Sequence, residues 1–231
     1  MSEDATRDEI LAQYVDAMGQ DLGEIAAALY HRVAWLHMRW ALYRQLFAQS
    51  DRRIDLLNDT APLVFSVVQR TLFNDVVLDL TRLTGPSRSC GKDNLSLQRI
   101  ADHVSDPELR IEVSRLAKAA FDACECLRDR RNRQLAHDDL SLALSKPTEP
   151  VRGISRADVE PALSAVRELL NTLQSHYCQS TVGYEYALTG PGDGDALVFY
   201  LSQGLKAERE RERRIMDGTF TPEDLEHGDE V

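Results

Sequence analysis

Residues 105–139 read "SDPELRIEVSRLAKAAFDACECLRDRRNRQLAHDD", and the folding of this stretch decides what the rest of the chain has to be. It opens with the marks of a helix start. Ser105 can accept from the free N–H groups of a first turn, and Pro107 brings a preset φ and no N–H of its own. The spacing predicts a helix from Ser105 to about Arg131. Its far end is crowded with charge: Arg128, Arg130, Arg131 and Arg133, then His137 with Asp138 and Asp139 behind it.

At ~100° per residue, Arg131 falls within about 40° of Leu109, Ala120, Cys124 and Leu127, so a guanidinium stands where the apolar stripe calls for a leucine. Cations near a helix C-terminus complement its negative end, worth a few tenths of a kcal/mol. That accounts for Arg128, Arg130 or Arg133, but not for the direction of Arg131. On a continuous helix His137 would lie ~9 Å further along and about 240° round from Arg131, too far for both to hold one phosphate. The helix therefore ends between them, or the two groups meet across two chains. A histidine in such a place serves either as a structural residue or as a catalyst, and spacing alone leaves both open.

Working outward, the same periodicity recurs. Within residues 21–48, Ile25, Ala28, Leu29, Val33, Leu36, Trp40, Tyr43 and Phe47 share a face. A shorter helix is expected near 5–18, one capped by Ser50 to Leu57, a long buried one from Pro62 to Leu83, a short one from Ser96 to Val104, one from Ser155 to Gln179 and a last over 195–216. Aromatic residues are only 6% of 231 and hydrophobic residues 43%, which favours helix over sheet and suffices for a core without disulfides. The fold class is all-α: a helical bundle with added N- and C-terminal helices. The expected divisions are an acidic helical arm over 1–20, a helical domain over 21–182, a linker and helix over 183–216, and an acidic tail over 217–231 expected to be disordered.

The net charge of −11 opposes general nucleic-acid binding, but it is uneven. Residues 1–24 hold seven acids against Arg7 and residues 217–231 hold six acids with no Lys or Arg, so the stretch between carries +1. A local basic site is compatible with that distribution. Cys90, Cys124, Cys126 and Cys178 have no paired metal-ligand spacing and read as reduced thiols. Without a secretory pattern in "MSEDATRDEI" or an apolar run of ~20 residues, a cytoplasmic location and no membrane partner are expected.

Three further features bear on possible chemistry. "GPSRSCGK" (85–92) has the wrong glycine spacing for a phosphate loop and Asp93 where a Ser or Thr belongs, so an ordinary surface loop is expected. "HDD" at 137–139 admits a metal-dependent all-α phosphohydrolase, yet His31, His37, His103 and His176 have no ligand spacing to one another, and no metal is expected. Asp79 interrupts "VVLDLTRL" inside a buried helix. Arg82, three residues on, is its expected partner, in a structural pair or beside a cleft.

The string "RDRRNRQLAHDD" resembles the Arg-Asn…His motif of HEPN domains through Arg131, Asn132 and His137. "LYRQLFAQSDRRIDLLND" (42–59), "LFNDVVLDLTRLTGPS" (72–87) and "DNLSLQRIADHV" (93–104) are similar to the abortive-infection U-type (AbiU-like) branch of that superfamily, with a weaker echo in "GDALVFYLSQGL" (194–205). The resemblance implies a HEPN-like bundle with a four-helix core, dimerising so that the Arg and His motifs of two chains line one cleft. Many such domains are metal-independent endoribonucleases acting as toxins or in phage defence; others are inactive interaction modules.

What the resemblance implies for residues is specific. Arg131 and His137 are the catalytic pair, acting on RNA without a cofactor: an imidazole titrating near about 6.5 takes the ribose 2′-hydroxyl proton, and a fixed cation stabilises the charge gathering on the phosphoryl oxygens. Asn132 orients the phosphate or holds the turn, and Asp138 fixes the His137 tautomer or is an exposed loop acid. Arg130 and Arg133 receive the flanking RNA backbone, and Asp79 supports the cleft. A homodimer and an antitoxin such as a nucleotidyltransferase are the implied protein partners.

Overall fold

The computed structural model describes residues 6–132, 153–186 and 192–225, and they are almost wholly helical. In chain order they form α1 (Arg7–Met18), α2 (Gln20–Phe47), α3 (Asp51–Thr60), α4 (Pro62–Leu83), a hairpin of β1 (Arg88–Ser89) and β2 (Lys92–Asp93), a 3-10 turn (Leu97–Arg99) running into α5 (Ile100–His103), then α6 (Pro107–Ala123), α7 (Glu125–Arg130), α8 (Arg156–Cys178) and α9 (Gly194–Met216). The all-α expectation holds.

Local chemistry sets the helix limits. Thr6 starts α1 by exchanging hydrogen bonds with Glu9, Ser50 Oγ accepts from the Arg53 amide, and the Ser155 amide donates to Asp158 at 2.8 Å. At α6 the cap is Asp106, not Ser105: its carboxylate accepts from Glu108 N at 2.8 Å and Leu109 N at 3.1 Å. Pro107 then occupies the first helical position, which suits its fixed φ.

The helix that starts there is not continuous to Arg131. It breaks at Cys124 (φ −93°, ψ 9°), whose amide closes a tight turn onto Phe121 O at 3.1 Å before α7 resumes. Cys124 and Leu127 stay fully buried through the break. The "GPSRSCGK" loop is a hairpin, with Cys90 (φ 49°) and Gly91 (φ 75°) both left-handed between β1 and β2, as tight hairpin turns require.

The chain divides into two compact units, the boundaries falling inside α2 and α4. The first comprises Met1–Ala41 and Thr71–Ala187. Its core joins Leu29, Val33 and Leu36 of α2, Val76, Val77 and Leu80 of α4, Val113, Leu116 and Ala120 of α6, and Val159, Leu163, Val166 and Leu169 of α8. Gly23 of α2 faces α1 so closely that a Cβ there would stand 2.6 Å from Val15 Cα. Part of the expected linker is tied down in this unit: Tyr184 is 3% exposed, its ring 5.9 Å from that of Tyr30 and 5.7 Å from His37.

The second unit comprises Leu42–Arg70 and Leu188–Val231. Leu46, Leu57 and Phe65 form its buried cluster, with Val198 and Leu201 of α9 packed against them. Gln45 donates to Asp193 at 2.9 Å and accepts from Gly194 N at 3.0 Å, fixing the start of α9. At the other end of α9 the beginning of the acidic tail has definite contacts: Asp224, 6% exposed, accepts from Arg214, and its carbonyl accepts from Arg211 at 2.6 Å.

Candidate functional site

α7 ends at Arg130, and Arg131 and Asn132 follow in a wider, π-helical turn. Leu127, fully buried one turn earlier, anchors this segment against the core. Arg131 thereby lines a cleft of about 560 Å³ together with Arg32 of α2, Thr81 and Arg82 of α4, and Asp93 and Asn94 at the hairpin. Its Nε is buried and has no hydrogen-bond partner among the described residues. A guanidinium in that state favours an anion with acceptor oxygens, since an unmade hydrogen bond at a buried donor costs about 1–3 kcal/mol. Asn132 is exposed in the same turn.

The cleft keeps a positive balance. Asp79, with its side chain 3% exposed, accepts from both Arg32 and Arg39, and Arg39 also reaches Asp75 at 3.2 Å. Arg82, the partner expected for Asp79, is exposed and lines the cleft instead. The reason lies in register: Arg32 and Arg39 are two turns apart on α2, and their facing counterparts Asp75 and Asp79 are one turn apart on α4. The other acid at the cleft, Asp93, is engaged with Arg99 at 2.8 Å. Three guanidinium groups, those of Arg32, Arg82 and Arg131, therefore border one concavity.

The remaining arginines of the motif divide. Arg128 lies 3.6 Å over the Phe121 ring and donates to the Phe121 carbonyl. Arg130 lies 5.6 Å from the Phe73 ring and donates to Asn74 at 3.3 Å, with burial lowering its pKa. Both are held by packing within the first unit. Arg133, His137 and Asp138 lie outside the described residues.

Among the described residues no group of three His, Cys, Asp or Glu side chains could hold a metal ion. The histidine that does sit in the core, His37, is 4% exposed and stacks on Tyr184. Burial pushes its pKa down to about 4, helped by the nearby Arg167. That is an imidazole kept neutral by its surroundings.

Arg32 and Arg39 were missed from the sequence. Their signal was present, as two arginines seven apart on a helix face answered by Asp75 and Asp79 four apart on another.

The family model HEPN_AbiU2, described as AbiU2, matches residues 19–191. The chain belongs to the AbiU2 family of HEPN domains. It is accordingly an abortive-infection-related HEPN protein, and its bundle is a HEPN bundle. No curated protein and no solved structure matches the chain. In this AbiU2 chain the matched span runs from α2 to beyond α8 and includes every residue of the arginine cleft. No helix among the described residues is long and apolar enough to cross a membrane.

Proposed function

We propose that this AbiU2 protein is a metal-independent endoribonuclease acting as a toxin or phage-defence effector, with Arg131 and His137 as its catalytic pair. The observation that carries the reading is Arg131, its buried Nε without a partner among the described residues, in a cleft shared with Arg32 and Arg82. Such a cleft suits a polyanion, and family membership makes RNA the polyanion of choice. His137 takes the proton of a ribose 2′-hydroxyl; the hydroxyl oxygen attacks the adjacent phosphorus, and the 5′-oxygen leaves with a proton. Arg131 meets the charge developing on the non-bridging oxygens. The products are a 2′,3′-cyclic phosphate and a free 5′-hydroxyl. In this reading the protein is a homodimer, and the histidine of one chain works with the arginine of the other.

The test incubates purified protein with mixed cellular RNA, with and without EDTA. Arg131→Ala and His137→Ala should each lower cleavage by about 10² or more, chelator should change nothing, and DNA should resist for want of the 2′-hydroxyl. Arg131→Lys should not restore activity, because a point charge cannot grip phosphate with two parallel hydrogen bonds. Mixing the two inactive alanine variants should recover part of the activity, since a mixed dimer holds one intact pair of Arg131 and His137. Cleavage unaffected by His137→Ala would assign the activity elsewhere; loss on chelation would favour a metal phosphohydrolase; RNA binding without cleavage would make the protein an interaction module.

A further inference from the structure

Trp35 stands out in the first unit because its surroundings do not explain it. It is 61% exposed on α2, and the residues three and four away on the same helical face are His31, Arg32, Met38 and Arg39. Its indole has no ring contact among the described residues, while its carbonyl accepts from Arg39 Nε at 3.3 Å. The exposed ring is flanked on its face by Arg32 and Arg39, and the first of these belongs to the cleft.

Helix geometry connects that ring to the cleft. Trp35 lies three residues after Arg32, one turn away on the same face of α2, where helical side chains lean toward the preceding turn. Arg32 lines the cleft with Arg131, and its guanidinium is fixed from behind by the buried Asp79. A second, exposed apolar side chain, Leu95 at 40%, lies on the cleft wall. Aromatic platforms beside guanidinium groups are how single-stranded nucleic acid is held without base-pair readout: the ring takes a base face and the cation takes the phosphate.

We propose that Trp35 and Arg32 form a nucleotide subsite beside Arg131, in which the Trp35 indole stacks on one unpaired base of the RNA and Arg32 holds the adjoining phosphate. This rests on the ribonuclease reading and deepens it by naming the residues that would hold one unpaired nucleotide beside Arg131. A base already stacked in a duplex offers no free face to the indole. Asp79 acts here as a positioning residue, denying Arg32 the freedom to swing away from the cleft.

Tryptophan fluorescence gives a direct readout, because the chain has two tryptophans and the other, Trp40, is 3% exposed with its Nε1 donating to Glu160 at 2.9 Å. The full-length His137→Ala protein is titrated with a single-stranded RNA decamer, the matching duplex and inorganic tripolyphosphate. The single strand should quench the fluorescence, and the duplex and tripolyphosphate should not. Trp35→Ala should weaken the single strand by ~10-fold or more, and Trp35→Phe should keep most of the affinity while losing the quench. Arg32→Ala should weaken the single strand and tripolyphosphate alike. Undiminished RNA affinity in Trp35→Ala, a quench that persists in Trp35→Phe, or loss of self-association in Trp35→Ala would each overturn the subsite. If Arg131→Ala still abolishes cleavage in those cases, the ribonuclease reading stands without it; if no form of the protein binds or cleaves RNA, both fall together.

Discussion

His37 shows what burial does to a single titratable residue in this chain. Its ring is sealed against Tyr184, and its folded pKa of about 4 lies below the ~6.5 of an unfolded histidine. Between those values the unfolded chain binds a proton that the folded chain refuses, so the histidine's contribution is fully present above ~6.5 and is lost as pH falls toward 4. The loss amounts to roughly 3 kcal/mol at most. Urea denaturation of wild type and His37→Gln at pH 7 and pH 4.5 should show the wild type losing about 2 kcal/mol more than the variant. Parallel losses would place the acid sensitivity elsewhere. At this scale the sequence was half legible. That Arg131 stands apart from its neighbouring arginines could be read, although the break at Cys124 undoes the continuous-helix angles that first marked it. The partners of Asp79 could not, because Arg32 and Arg39 reach it from α2, across a helix packing that local spacing does not encode.

Helices were read well where a cap or a proline marks them, and poorly where burial continues through an irregularity. Ser50, Pro62 and Ser155 bracket α3, α4 and α8 as expected. Ser105 and Asp106 are both competent caps, and it is Pro107 that decides for Asp106 by taking the position after it. The break at Cys124 leaves no trace in the apolar pattern, since Ala120 and Leu127 are buried on either side of it and Cys124 is buried at it. A close approach between elements is equally silent in sequence. Gly23 has Val15 Cα, Val15 N and Tyr14 O all within 2.7 Å of where a Cβ would sit, and the atoms are backbone, which cannot rotate away. Gly23→Ala should therefore push α1 off α2 and cost about 1–3 kcal/mol despite the better helix propensity of alanine. Gly204, whose Cβ would meet nothing, is the control, and Gly204→Ala in α9 should be neutral or stabilising by thermal melting. Equal effects at the two glycines would refute the close approach.

Across the whole molecule, composition foretold an all-helical chain but not the grouping of residues 42–70 with the C-terminal helix, because α2 and α4 run through the unit boundaries without any change in sequence character. Charge is the other property that belongs to the whole. The chain carries −11, yet Arg32, Arg82 and Arg131 border one cleft. On the proposed reading, an RNA strand approaching from afar meets a net negative body, and the three guanidinium groups oppose that repulsion at close range. Dissolved ions shorten the reach of a field to about 10 Å at 0.1 M, which silences the distant repulsion before it weakens contacts made within the cleft. Stopped-flow association of a single-stranded RNA with the His137→Ala protein should therefore speed up from about 10 mM to about 100 mM salt and slow only beyond that. A rate that falls from the first addition of salt would mean that the cleft governs the approach as well as the grip. On the proposed ribonuclease reading, the ionic atmosphere would set how readily a polyanion reaches the cleft: thin salt leaves the acidic body to turn it away, and thicker salt leaves only the short-range grip of the arginines.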